Sequence, residues 1–327
     1  MINHNKRILW PDMIKGICML LVIHSHIVVP HGIVYSFYAP VFLAAFFFVS
    51  GYFLKERNLS DYVVHEIRTV IVPFLFLGLI DALCYSYLWK VPFLTILRDI
   101  LLQDGGRYTA LWFIGCLIVA KFIQHTAIKI TAPCRGGVKT RILISLVLCL
   151  LGYVLSLYKV KLPYSITTAL IVQLFMGIGY EVKKMDYMKH LCAFHIFVTA
   201  SLLYCCGFII QHFAFSTIVE LGSRMGIFPI YMVMGFCGII IIYFLCERLS
   251  RYSYVINIIS PIGVYSIVYY GLHMPAFDFI WKALSLIPVA IPNIVIALID
   301  LPLTLASCYI ISIALDKYCP ILIGKWR

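Results

Sequence analysis

Asp12, Lys15, His24 and His26 all fall within the first apolar stretch of the chain, Trp10 to His31. A charged side chain at the centre of a membrane helix costs about 2.5–3.5 kcal/mol on insertion scales, so such groups usually face a partner or a water-filled cavity and are candidates for function. Histidine titrates nearest neutrality and suits a general base, and lysine is a point cation for an anionic ligand. Lys15 and His26 are separated, on an α-helix, by about 20° around the axis and about 16 Å along it. Asp12 falls about 40° from His26, whereas His24 is about 180° from Lys15. The stripe that can act together is Asp12, Lys15 and His26.

The elements that must position this stripe are membrane helices. A chain of 327 residues with 63% hydrophobic and 12% charged residues is far from a soluble domain, which carries about 25% charge. Its mean hydropathy is +0.98. The reading is an all-α, polytopic bundle of about ten transmembrane helices, organised as a single integral-membrane domain over residues 1–327. Spans of the required length fall near 8–29, 34–54, 70–89, 109–129, 141–158, 164–181, 190–211, 226–246, 262–282 and 290–315. Seventeen Lys and Arg residues lie in loops on one side of this arrangement and seven on the other, with Lys15 and Lys121 inside spans. Cytoplasmic loops carry the excess of basic charge, which puts both termini in the cytoplasm of a cell-membrane protein. The net charge of +12 is dispersed in short clusters, so it reads as a topology signal and gives no footing for nucleic acid. The twelve cysteines include no C-x-x-C pair and fall mostly in apolar runs, where cysteine packs as a small hydrophobe.

Several segments carry a resemblance. Asp12-x-x-Lys15-Gly16-Ile17, with His26 fourteen positions after the Asp, resembles the first helix of the integral-membrane acyltransferase-three family. Phe46-Phe47-Phe48-Val49-Ser50-Gly51-Tyr52 resembles its Phe-Phe-x-x-Ser-Gly-Phe/Tyr segment, and Arg68 before Pro73 its basic entry to the third helix. Trp112-Phe113, Phe175-Met176-Gly177 followed by Lys183-Lys184, and Ser266-x-x-x-Tyr270-x-x-His273 are similar to further family segments in the same order. Lys in place of Arg at position 15, with Ser25 before the histidine, looks like the fucose-O-acetylase-like branch. The family's fuller basic pair before the third helix is replaced here by His65 and Glu66, which leaves Arg68 as the one carried-over contact.

The resemblance implies transfer of an acetyl group from cytoplasmic acetyl-CoA, without a metal, to a hydroxyl of an extracytoplasmic envelope glycan or lipid-linked sugar. Such a reaction needs a base for the hydroxyl, a stabilised oxyanion and a site for a strongly anionic nucleotide. His26 would be the base, with Asp12 orienting or neutralising Lys15 one turn away. Lys15 and Arg68 would attract the CoA phosphates, although Arg68 also reads as a topology anchor. Ser50 offers a hydrogen bond or a close helix contact. Trp112 reads as a sugar platform or as part of an interfacial belt, and Tyr270 with His273 as acceptor contacts or helix packing. Direct transfer and an acetyl-histidine intermediate both remain open, and membrane lipids surround either; the chain leaves room for a homo-oligomer. The rival class is a transporter or flippase for a sugar, amino acid or lipid-linked intermediate, with Asp12, Lys15 and His26 as its relay. Asp81, Lys121 and Asp300 are mid-span charges expected to pair with one another inside the bundle. The Asp104–Arg107 turn reads as a lid or a plain loop.

Overall fold

The computed structural model describes residues 8–26, 32–102, 110–132, 137–160, 162–215, 221–222, 224–287 and 292–326. The Asp104–Arg107 turn, Tyr108 and Cys134 lie outside them. The regular elements among these residues are helices: α1 Trp10–His26, α2 Ile33–Tyr52, α3 Leu59–Glu66, α4 Val72–Trp89, α5 Phe93–Leu102, α6 Trp112–Thr131 and α7 Gly137–Leu157. They continue with α8 Ile166–Ile171, α9 Gln173–Lys184, α10 Phe194–Ala214, α11 Phe228–Leu249, α12 Ser253–Val264, α13 Ser266–Leu284 and α14 Asn293–Tyr318.

Seven of these helices are long and apolar enough to cross a membrane, and nine if two bent pairs each count as one span. The expected ten differ by α1, which has 17 residues. At 1.5 Å per residue it covers about 26 Å against a hydrocarbon core of about 30 Å. Three further differences matter for the site. The third span starts early, because α3, a π-helical turn at Ile67–Ile71 and α4 join into one helix of 31 residues. The sixth span is bent by 57° between α8 and α9, and the ninth by 82° between α12 and α13. Pro261 lies one turn before the second bend, where its missing N–H and its ring weaken the helical ladder. Pro275 and Pro302 lie inside α13 and α14.

The helices sort into a centre and a shell. The membrane-length windows of α2 and α11 are 72% and 61% buried, those of α7, α10 and α14 only 22%. Apolar side chains on the shell, such as Leu143, Leu202 and Ile310, are open to the surroundings, as suits helices that face lipid. At the centre, α1 packs on α2, α11, α12 and α13. Close approach is enforced by glycine: a Cβ at Gly263 of α12 would sit 1.7 Å from the carbonyl oxygen of Asp12. In the same way, a Cβ at Gly51 would sit 2.1 Å from the carbonyl oxygen of Met176, which fixes α2 against α9.

Candidate functional site

Lys15 and His26 open into two different cavities, one near each end of α1. The first, about 340 Å3, lies where α1 and α6 meet the end of α2 and the last turn of α3. Lys15, Lys55, Arg57 and Lys121 line it, with Glu66 as the acidic residue, and Ser50 and Tyr62 complete its polar wall. Lys121 Nζ is 2.6 Å from Glu66 Oε2, so the charge it brings is spoken for. Lys15 and, from the loop after α2, Lys55 and Arg57 bring the other basic groups to the wall.

That loop is held by its middle residue. Glu56 accepts hydrogen bonds from the Tyr180 hydroxyl and, at 3.2 Å, from Lys184 Nζ. These two donors hold its carboxyl below the usual carboxylate range. Its neighbours Lys55 and Arg57 line the cavity. The backbone of Arg57 is tied as well: its carbonyl accepts from His125 Nε2 at 3.1 Å, and the His125 ring stacks on Tyr62 with centroids 3.9 Å apart. Ser50 Oγ donates to the Phe46 carbonyl at 2.8 Å. Lys15 Nζ lies 5.9 Å from the centre of the Phe53 ring.

The second cavity, about 230 Å3, is aromatic. Val22, Ser25 and His26 of α1 face Tyr35, Ala39, Phe42 and Leu43 of α2, with Trp112 of α6 and Tyr270 of α13. His26 Nδ1 is 2.8 Å from the Val22 carbonyl oxygen. A carbonyl only accepts, so Nδ1 donates there; in the neutral imidazole that contact leaves Nε2 as the acceptor nitrogen, the one a general base uses. His273 sits behind it, with ring centroids 4.9 Å apart and the side chain fully buried. Its Nδ1 is likewise tied, 2.9 Å from the Tyr270 carbonyl and 3.1 Å from that of Tyr269. Its Nε2 has no hydrogen-bond partner among the described residues. His24 lies apart from the second cavity's wall, its Nδ1 2.7 Å from the Tyr38 hydroxyl.

Of the residues singled out in the sequence, Lys15 and Ser50 meet in the first cavity and His26, Trp112 and Tyr270 in the second, with His273 in contact behind. Asp12 is buried where α1 meets α12 and lines neither cavity. Arg68 does not join Lys15. It is exposed on the π-helical turn, its guanidinium 4.9 Å from the Trp326 ring centre and its carbonyl accepting from Trp326 Nε1 at 2.9 Å. The turn of the helix that brings His65 and Glu66 inward carries Arg68 outward. The expected pairing of Asp81, Lys121 and Asp300 is also absent: Lys121 binds Glu66, while Asp81 and Asp300 both lie within electrostatic reach of Asp278. Lys55 and Arg57 carry no signal in the sequence beyond their charge, although the alternation Lys55-Glu56-Arg57 directly after the Ser50-Gly51 segment is a pattern that could have found them.

Among curated proteins and solved structures no match to the chain is found. A family described as an acyltransferase domain matches residues 8–313, a range that takes in both cavities and all but the last turn of α14. With nearly the whole chain covered, and with a basic cavity and a histidine-bearing one built on the same helices, the protein belongs to the integral-membrane acyltransferase family.

Proposed function

We propose that the protein is an O-acetyltransferase of the fucose-O-acetylase-like branch, taking acetyl from cytoplasmic acetyl-CoA and delivering it to a hydroxyl of an extracytoplasmic glycan or lipid-linked sugar. The observation that carries this reading is the placement of His26: Nδ1 donates to the Val22 carbonyl and the ring lines a cavity at the opposite end of α1 from the basic one. The basic cavity suits a polyanionic nucleotide, since Lys15, Lys55 and Arg57 supply charge-assisted hydrogen bonds to phosphate. The end of the bundle where it lies also carries Lys183 and Lys184, in keeping with a cytoplasmic face. The aromatic cavity suits a sugar, with Trp112 and Tyr270 as flat apolar walls bearing polar tips.

In the direct form of the reaction, His26 Nε2 takes the proton of the acceptor hydroxyl as its oxygen attacks the thioester carbonyl. The carbon–sulfur bond breaks, and the imidazolium returns the proton to the CoA thiolate. Trp112 and Tyr270 line the same cavity, and their N–H and O–H would serve as donors to the oxyanion that forms there. Lys15, Lys55 and Arg57 hold the donor, and Asp12, one turn from Lys15, orients that lysine.

The purified protein incubated with radiolabelled acetyl-CoA and an envelope glycan extract should yield labelled glycan and free CoA in equal amounts. Absence of both CoA release and acetyl-CoA binding would overturn the reading and favour the transporter class.

A further inference from the structure

The segment after α14 is pinned to the irregular point of the third span. At the π-helical turn Ile67–Ile71 the Val72 N–H donates to the Ile67 carbonyl, five residues back. The Arg68 carbonyl would take its donor from Val72 in an α-helix and from residue 73 in a π-helix. Residue 73 is proline, which has no N–H, so both helical donors are lost to that carbonyl. Trp326 supplies the replacement: its Nε1 donates to the Arg68 carbonyl at 2.9 Å. Gly324, at φ +80°, passes so close that a Cβ there would sit 2.7 Å from the next carbonyl oxygen, that of Thr69, a position that suits glycine alone.

The same segment is anchored on its other side. Lys325 Nζ is 2.8 Å from Asp316 Oδ2 of α14 and 4.2 Å from the centre of the Tyr265 ring, and the Tyr265 hydroxyl donates to that carboxylate oxygen at 2.7 Å. Tyr265 is the residue at the 82° bend between α12 and α13. Ile323 is buried, and its turn, Pro320–Ile323, packs on α4 and α14. Just before the π-helical turn stand His65 and Glu66 of the basic cavity, and the Thr69 hydroxyl donates to the His65 carbonyl at 2.8 Å.

From this geometry we infer that Trp326 is a positioning residue for the basic cavity. A helix bends readily at a proline or a π-helical turn, and here the two coincide between α3 and α4. By supplying the donor that the Arg68 carbonyl lacks, Trp326 fixes the direction in which α3 leaves α4, and with it the place of His65 and Glu66 in the cavity wall. The tie runs through the backbone carbonyl, which any residue at position 68 would carry. That the cavity so held receives acetyl-CoA rests on the proposed function.

Two measurements test this. The first needs neither ligand nor turnover. In a cysteine-depleted protein with nitroxides at Asp61→Cys on α3 and Leu83→Cys on α4, both exposed positions, the spin–spin distance distribution should be narrow with Trp326 present. It should broaden or shift in Trp326→Ala, and to a lesser extent in Trp326→Phe, which keeps a ring and loses the N–H. The second is acetyl-CoA affinity by calorimetry. Trp326→Phe should weaken it by about twofold to tenfold, the worth of one neutral hydrogen bond, and Trp326→Ala at least as much. At saturating acetyl-CoA, kcat should stay close to the parent's, because the His26 cavity is not touched.

Distances unchanged in both folded Trp326 variants overturn the inference, and so does an altered distance with unchanged acetyl-CoA affinity. A parent protein that binds no acetyl-CoA overturns the functional reading instead. The spin-label distances in that same protein then still decide whether Trp326 holds α3 in place.

Discussion

The cavity at Lys15 is lined by charge and the cavity at His26 by rings, although α1, α2 and α6 contribute to both. The difference comes from what else each one borders. The first meets the loop after α2, which carries Lys55 and Arg57, and the last turn of α3, which carries His65 and Glu66. The second meets α13 just beyond its 82° bend with α12, which brings Tyr270 and, behind it, His273 to the end of α1. Lys15 in one lining and His26 in the other are about 16 Å apart along α1. In the proposed reaction that separation would let a long flexible donor keep its charge at one end while its reactive group works at the other.

The sharpest way to break this contrast is to remove the base. His26→Ala should lower acetyl transfer by about 10²–10⁴-fold, the usual contribution of a general base, and leave acetyl-CoA binding and thermal stability close to the parent's. His24→Ala should remain active, because His24 hydrogen-bonds Tyr38 away from the second cavity. A folded, inactive His24→Ala protein would show that the two histidines have been assigned the wrong way round.

A smaller effect is expected in the basic cavity, and there it falls on binding. A hydrogen bond to a charged group is worth about 1.5–3 kcal/mol, so Lys15→Ala should weaken acetyl-CoA binding by about tenfold to a hundredfold, with Lys15→Arg milder. Arg68→Ala should bind acetyl-CoA as the parent does, since its guanidinium lies on Trp326. Titration calorimetry on the three variants separates these outcomes; equal losses in Lys15→Ala and Arg68→Ala would mean that both serve the donor.

The smallest effect concerns the loop that presents Lys55 and Arg57. The Glu56 carboxyl is held low by Tyr180 and Lys184, so its stabilisation is present above the unfolded value, about pH 4.3, and is lost as the pH falls through the folded one. Glu56 is partly exposed, which limits the expected loss in Glu56→Gln to about 0.5 kcal/mol at neutral pH. Melting curves of the parent and Glu56→Gln should differ at pH 7 and converge in acid. A gap that widens in acid would contradict the sign.

What could be read along the chain was whatever depends on near neighbours. Composition and apolar run length gave a helical membrane bundle, because a backbone in hydrocarbon must satisfy its own hydrogen bonds. The angle between Lys15 and His26 follows from helix geometry alone, and so does the exclusion of His24. The family-like order of short segments marked Trp112, Tyr270 and His273, residues the structure gathers around His26 although they lie far apart in sequence.

Tertiary structure decided the rest, since it depends on how helices are rotated and bent against each other. Arg68 turns outward to Trp326 while Glu66, two residues earlier, turns inward to Lys121. A π-helical turn beginning between them breaks the simple wheel. Lys55 and Arg57 enter the basic cavity through the anchoring of Glu56 on α9, a contact across 124 residues of sequence that no local pattern specifies.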